Sequence, residues 1–315
     1  MKQKSINDRT YQLTHVLILL LTAVVWGFAF VSQSVGAEYV GAFTFLAIRN
    51  WIAVLFLIPV IRVLTLRRNS EAAEETETKQ LNRHQKRMYL LAGVSCGTAL
   101  LCASAAQQIG IAYTTTAKAG FITTLYVVLV PILSIVIGQR PAPSIWISVV
   151  IGTAGLYLLC MTPGNAGGIN RGDLIMLLCA VLFSVQILLV NHYSSFLDGV
   201  RLSFLQSLTC AVIATFLMLV MEKPALSDIR AALPALLYAG VMSSGVGYTL
   251  QIIGQKGLDP TIASLVMCLE CVFSAVGGWM LLGQRLSARE LGGCALMFTA
   301  ILISILLSGR RKEQA

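Results

Sequence analysis

The sequence predicts an all-α polytopic membrane protein, with ten transmembrane helices arranged as two inverted five-helix repeats. Three observations carry that expectation: too few charges for water to be the main solvent, ten apolar runs of spanning length, and a set of motifs that occurs twice. Of the 315 residues, 57% are hydrophobic and only 12% are charged, with a mean hydropathy of +0.79. A soluble domain carries about 25% charged residues.

The mostly apolar runs fall at about 14–34, 40–62, 88–111, 116–138, 143–161, 172–192, 201–221, 233–254, 260–282 and 288–308. About 17–25 such residues suffice for a helix to cross a bilayer. The runs are continuous instead of alternating over about ten residues, which favours helices over the strands of a barrel. The Lys and Arg bias of the loops sets orientation. With the N-terminus in the cytoplasm, sixteen basic residues lie inside and five outside, and Arg49 and Lys118 fall within spans, accounting for all 23. Both termini are therefore expected in the cytoplasm, and the net charge of +9 reads as this anchoring pattern, with no nucleic-acid partner.

Lys2, Lys4 and Arg9 before an apolar run imitate the start of a signal peptide, but that run is of spanning length and belongs to the repeat. Eight cysteines (Cys96, Cys102, Cys160, Cys179, Cys210, Cys268, Cys271 and Cys294) all fall in or beside spans. That placement argues against a disulfide framework and for small apolar packing residues. The pair Cys268-x-x-Cys271 has no histidine partners to suggest a metal, and no cofactor is expected.

The doubling is visible in the motifs. "QQIGIAYTTTAKAGFITTLYVVLVPILSIVIGQR" (107–140) is echoed by "QIIGQKGLDPTIASLVMCLECVFSAVGGWMLLGQR" (251–285). Gln107, Ile109 and Gly110 match Gln251, Ile253 and Gly254; Gly138-Gln139-Arg140 matches Gly283-Gln284-Arg285; Gly93-x-x-x-Gly97 has its counterpart in Gly240-x-x-x-Ser244. The halves are read as 11–160 and 171–308, joined by the turn-rich "TPGNAGGIN" (162–170). Five spans per half make the second half enter the membrane from the opposite side, an architecture of transporters that hold substrate near the midplane. The loop 66–87, whose acids Glu71, Glu74, Glu75 and Glu77 precede most of its bases, reads as a solvated connector on the cytoplasmic side.

Nearly the whole chain resembles the EamA-type, ten-helix branch of the drug/metabolite transporter superfamily. The resemblance is carried by "AVVWGFAFVSQ" (23–33), "FLAIRNWIAVLFLIPV" (45–60) and the paired ends "IGQRPAPSIWISVVIGTAGLYLL" (137–159) and "LGQRLSARELGGCALMFTAILIS" (282–304). Members usually show "GERL"-like sequences at the ends of helices 4 and 9, where this chain has Gln139 and Gln284. It also has Cys271 where "EP" is common. No mechanism resting on interfacial glutamates at those helix ends is therefore expected. The resemblance implies export or exchange of small metabolites across the cytoplasmic membrane.

Glu270 is the acid well inside a span. A charged side chain at the centre of a membrane helix costs about 2.5–3.5 kcal/mol on insertion scales, so it must face protein or water, be paired, or be protonated. Counting by threes and fours, it shares a helix face with Val266, Met267, Phe273, Ser274, Gly277 and Gly278, whose small members favour close helix contact. It is read as a proton-coupling or substrate-ammonium site, or else as a structural group paired with Arg49 or a backbone cap. Arg49 is read as a structural pair or cap, with anion binding as its alternative. Lys118 sits near the external end of helix 4, where it can snorkel to the interface or hold a substrate carboxylate at the cavity mouth. Tyr126 is the approximate counterpart of Glu270, and Trp26, Gln107, Tyr248 and Gln251 are further candidates for the pathway; Gln108 and Gln186 are softer ones. Pro131 predicts a kink in helix 4.

No HExxH or P-loop motif is present, so an enzyme is not expected and transport would draw on a gradient. The expectation is a secondary transporter of small metabolites, in the class of amino acids or related zwitterions, lying in the cytoplasmic membrane, exporting by alternating access with protons as a coupling partner. A single copy can enclose the path, so a monomer is expected. A proton-independent uniporter or exchanger is the alternative within transport, and a non-transporting receptor or scaffold the alternative outside it.

Overall fold

The computed structural model describes residues 2–71, 83–113, 116–139, 141–161, 170–282 and 287–314; at several helix positions, Lys118 among them, only the main chain is described. Among the described residues all regular structure is helical: α1 (Lys2–Tyr39), α2 (Ala42–Glu71), α3 (Arg83–Ile111), α4 (Thr116–Thr124), α5 (Tyr126–Val136), α6 (Pro143–Cys160), α7 (Arg171–Ser194), α8 (Gly199–Met221), α9 (Leu226–Ala231), α10 (Leu233–Leu237), a π-helical stretch (Tyr238–Gly247), α11 (Tyr248–Gln255), α12 (Pro260–Met267), α13 (Glu270–Leu282) and α14 (Ala288–Gln314).

Nine stretches of the described residues are long and apolar enough to cross a membrane. The expected run at 143–161 is the exception: it forms α6, in which Ile145–Cys160 is a shorter apolar helix. Pro143 at its first turn and the exit at Met161 limit α6 to 18 residues. The connector expected at 66–87 is shorter than read, since α2 continues to Glu71 and α3 begins at Arg83; residues 72–82 lie outside the described ones.

Polar caps fix where the helices begin. Asn170 and Asp173 form a reciprocal capping box on α7, the Asn170 side chain accepting from Asp173 N at 2.9 Å and Asp173 accepting from Asn170 N at 3.1 Å. Asp198 accepts from Arg201 N at the start of α8, and Asp259 from Thr261 N at the start of α12. Such side-chain acceptors satisfy amides that have no partner inside the helix. The first turn of α2 is capped from a distance: the Glu222 carboxylate, just past α8, accepts from Phe43 N (2.9 Å), Thr44 N (2.8 Å) and Thr44 Oγ1 (2.6 Å).

Three of the expected spans are discontinuous. The run 116–138 is two helices that meet at Leu125, and Pro131 lies buried inside α5 without ending it, so the break is six residues before the expected kink. The run 260–282 divides at Cys268–Leu269. At both places the backbone tightens: Leu125 N donates to Ile122 O, Leu269 N to Val266 O and Cys271 N to Cys268 O, the i−3 pattern of a 3₁₀ turn. Side chains take neighbouring carbonyls, Thr124 Oγ1 donating to Gly120 O and Cys268 Sγ to Leu265 O. The third span, Leu233–Gln255, passes through the π-helical stretch.

The packing partners are reciprocal. α3 packs on α7 and α8; the π-helical stretch and α11 pack on α1, and the π-helical stretch on α2. α4 and α5 pack on α7, while α12 and α13 pack on α1. α2 lies along α8, and α6 along α14. The last pair meets through facing glycines: a Cβ on Gly155 would lie 2.7 Å from the Gly293 carbonyl oxygen, and one on Gly293 2.6 Å from the Gly155 carbonyl oxygen. The stretch Pro260–Gly277 is the most enclosed span, 78% buried, against 28% for Gly199–Met221 and for Ala288–Leu306. The broken helix that holds Glu270 thus lies deepest in the bundle.

Candidate functional site

The inner helices surround one cavity. α1 contributes Trp26, Ala29, Phe30 and Gln33, which stand at i, i+3, i+4 and i+7 and so share one face. α7 contributes Phe183, Gln186 and Ile187, and Ser243, Tyr248 and Gln251 come from the π-helical stretch and α11. Arg49 of α2, Gln107 of α3, Thr123 of α4, Tyr126 of α5 and Glu270 of α13 complete the wall. The space not filled by atoms is about 460 Å³, but only about 30 Å³ of it admits the centre of a water molecule. That leaves room for about two waters.

The helix breaks place the acidic end of this cavity. Tyr126 is the first residue of α5 and Glu270 the first of α13. The Tyr126 hydroxyl donates to Glu270 Oε1 at 3.1 Å, and both residues are buried. Because the helix is interrupted at 268–269, counting by threes and fours across the break does not define one face for Glu270. From Glu270 onward α13 lies against α1: a Cβ on Gly27 would stand 2.8 Å from the Glu270 carbonyl oxygen and 2.6 Å from Phe273 Cβ.

The cationic end is built by α2 and the π-helical stretch. Arg49 Nε donates to Ser244 Oγ at 2.9 Å, and the guanidinium carbon stands 6.0 Å from the centre of the Phe45 ring. The pair between Arg49 and Glu270 entertained from sequence is not formed: each group has a neutral hydroxyl partner on its own side of the cavity. In the π-helical stretch Tyr248 N reaches back to Ser243 O, and the same carbonyl accepts from Trp26 Nε1 at 3.3 Å. The Trp26 and Tyr248 rings pack tilted with centroids 5.1 Å apart.

Gln186 and Gln251 of the wall form a cluster of buried amides with Gln206. Gln186 Nε2 donates to Gln206 Oε1 (3.2 Å) and Gln251 Oε1 (3.3 Å), while Gln251 Nε2 donates to Gln186 Oε1 (3.1 Å). The Gln33 side-chain oxygen is buried without a hydrogen-bond partner. The cavity therefore combines one carboxyl, one guanidinium, several amides and an aromatic wall, a set suited to a small solute that has both polar and apolar parts.

Of the residues singled out from sequence, Glu270, Arg49, Tyr126, Trp26, Gln107, Tyr248, Gln251 and Gln186 all line this cavity. Gln108 does not; its Nε2 donates to Gln33 O at 3.1 Å in the packing between α3 and α1. The Lys118 side chain lies outside the described residues. Sequence reasoning missed Gln33, Thr123, Ser243, Ala29, Phe30, Phe183 and Ile187. A usable signal was present for three of them: Ala29, Phe30 and Gln33 follow Trp26 at helical spacing. Cys268 and Cys271 remain free thiols, and no metal-holding cluster occurs among the described residues.

A multi-pass helical membrane protein with a polar cavity enclosed among its inner helices is the class that fold and site define. The chain belongs to the EamA-like transporter family, whose model matches it twice, over residues 13–161 and 170–306. It is 26% identical over 304 residues to an uncharacterized transporter of Archaeoglobus fulgidus, a match covering 96% of this chain and 89% of that one. Among solved structures, one crystal structure of a protein superposes with a TM-score of 0.72 at 19% identity, covering 95% of this chain and 99% of the other; that likeness is one of fold. Family membership implies a small-molecule substrate and a lipid environment, and a transporter in place of an enzyme.

Proposed function

We propose that the protein is a secondary active transporter of small metabolites, built of ten transmembrane helices in two inverted repeats that rock about the central cavity. α6 serves as the tenth span and the counterpart of α14. Both termini face the cytoplasm, one copy encloses the path, and the direction is export across the cytoplasmic membrane.

The observation that carries this reading is the makeup of the cavity wall. Trp26 and Phe183, Ala29 and Gln186, and Phe30 and Ile187 each stand 157 residues apart, the same interval as the starts of the two family matches at 13 and 170. Gln107 and Gln251, like Tyr126 and Glu270, are 144 apart. Matching residues of two related halves meet across one site, so a movement that opens one side has an equivalent that opens the other.

Glu270 is the proton-coupling group, or the partner of a substrate ammonium, and Arg49 receives a carboxylate. Together they suit a zwitterion such as an amino acid. The Tyr126 hydrogen bond on Glu270 favours a second reading, in which the glutamate is permanently held and the protein is a proton-independent uniporter or exchanger.

The test is internal pH in proteoliposomes while a panel of amino acids and small metabolites is added outside, with wild type and Glu270→Gln run side by side and folding checked for both. Solute-driven proton movement in wild type, lost in the variant, supports coupling through the carboxyl. Solute movement without protons in both supports the uniporter or exchanger. No solute movement in either leaves the receptor or scaffold reading.

A further inference from the structure

Above and below the central cavity, the same contact is made twice. At one end Leu19 of α1 seats on Gly254 of α11: a Cβ on that glycine would lie 2.8 Å from Leu19 Cδ2 and Cγ. At the other end Met176 of α7 seats on Gly110 of α3, where a Cβ would lie 2.5 Å from the sulfur and 2.9 Å from Cγ. Leu19 and Met176 are fully buried. They stand 157 residues apart, and the glycines 144 apart, the same intervals that relate the pairs in the cavity wall.

Both contacts lie just beyond that wall. Leu19 precedes Trp26 by seven residues and Met176 precedes Phe183 by seven, about 10 Å along each helix. Gly254 follows Gln251 by three residues and Gly110 follows Gln107 by three. In the inverted-repeat arrangement proposed above they point to opposite membrane faces. The start of α1 meets the end of α11, with Tyr11 donating to Lys256 O at 3.1 Å and His15 Nδ1 to Gly254 O at 3.2 Å. The start of α7 meets the end of α3, where a Cβ on Gly172 would lie 2.8 Å from the Tyr113 carbonyl carbon.

A second cavity lies beside the first contact, lined in part by His15, whose ring donates to Gly254 O. It is wider than the central one, with about 360 Å³ open to the centres of water molecules, and Tyr11, His15, Ser194, Asp198, Ile252 and Lys256 are among its lining residues. These cluster at one end of four spans, the starts of α1 and α8 and the ends of α7 and α11. Ile252 stands next to Gln251, and His15 is one turn before Leu19.

Resting on the alternating-access reading, we propose that Leu19 on Gly254 and Met176 on Gly110 are the two gates of the transport path, and that the wider cavity is the antechamber of the first. Solute passes when Leu19 lifts from Gly254 while Met176 stays seated, and then the reverse. A glycine suits this role because its bare backbone lets a single flexible side chain close the gap between helices and leave it without moving a second side chain.

The gates are tested by leak, which requires no knowledge of the solute. Proteoliposomes carrying a trapped pH-sensitive dye and clamped with valinomycin are given a pH step, for wild type, Leu19→Ala, Met176→Ala and the double variant. Each single variant keeps one seal and stays within about twofold of wild type. The double variant joins both faces through water and leaks protons at least about tenfold faster than either single. A folded, inserted double variant as tight as the singles overturns the proposal.

If the double alanine variant does not fold, Leu19→Val/Met176→Val takes its place: leak above both of its singles supports the gates, and a rate equal to wild type overturns them. Solute movement by wild type is followed in the same vesicles. A transporting wild type beside a tight double variant overturns the gates alone. A leaking double variant beside a wild type that moves no solute overturns the alternating-access reading and the gates with it.

Discussion

Tyr126 and Glu270 begin the second half of two broken helices, 144 residues apart in the chain, and are joined by a hydrogen bond of 3.1 Å from phenol to carboxyl. Each break frees backbone groups and turns the following residue toward the cavity. The bond ties α5 to α13 at the place where a rocking motion would separate them. Replacing Tyr126 by Phe leaves a buried carboxyl without its donor, a loss of about 1–3 kcal/mol. The expected outcome is a lower thermal midpoint in detergent together with faster exchange between the two halves. An unchanged midpoint contradicts it.

Glu222 is the tie at the end of the bundle where α8 finishes and α2 starts. Its carboxylate satisfies two amides and a hydroxyl of the α2 first turn, and removal of a helix cap costs about 0.5–2 kcal/mol. Glu222→Ala is expected to lower thermal stability by that amount, and Glu222→Gln, which keeps one acceptor oxygen, by about half of it. Equal midpoints for wild type and the alanine variant would show that the cap contributes nothing.

The facing glycines of α6 and α14 leave no room for a side chain. Gly293→Leu forces the two helices apart, and overpacking of this kind costs about 1–3 kcal/mol. The expected result is a reduced yield of monodisperse protein, partly restored when the substitution is limited to Ala. Wild-type stability in the leucine variant contradicts the contact.

The π-helical stretch sets the rotation of α11. Deleting Met242 removes one residue, so α11 turns by about 100° and carries Tyr248 and Gln251 out of the cavity. Helical content by circular dichroism is expected to stay within a few per cent, while solute movement in proteoliposomes is lost. Full transport by the deletion variant excludes a role for this rotation.

The buried charges and lone aromatics were legible in the sequence because they conflict with their surroundings. Glu270 and Arg49 stand in apolar runs, and Trp26, Tyr126 and Tyr248 carry a polar atom that needs a partner inside the bilayer; all five line the cavity. Phe30, Phe183 and Ile187 were not legible, since an apolar residue in a membrane span looks the same whether it faces lipid, a neighbouring helix or a substrate path. The helix breaks escaped for a different reason. Pro131 drew attention to a position where α5 continues, whereas Leu125 and Leu269, ordinary helix formers, mark the interruptions because Thr124 and Cys268 take backbone carbonyls beside them. The π-helical stretch has no residue that signals it, and depends on how Ser243 and Ser244 meet Trp26 and Arg49 from other helices. The pairing of the halves was readable from Gln107 and Gln251, whereas Trp26 and Phe183, Ala29 and Gln186, and Phe30 and Ile187 share too little in residue type to be matched as cavity partners from sequence.

The enclosure of the stretch that holds Glu270 bears on how the chain is made. Helices leave the insertion machinery in order of synthesis, and this one emerges when α1, α4, α5 and α7 are already in the bilayer. Inserted in that order, its carboxyl would meet the Tyr126 hydroxyl already in place. Synthesis in that order would spare a buried acid whose exposure to acyl chains is costly. A chain rearranged so that residues 260–282 were inserted first would have to cross that barrier alone.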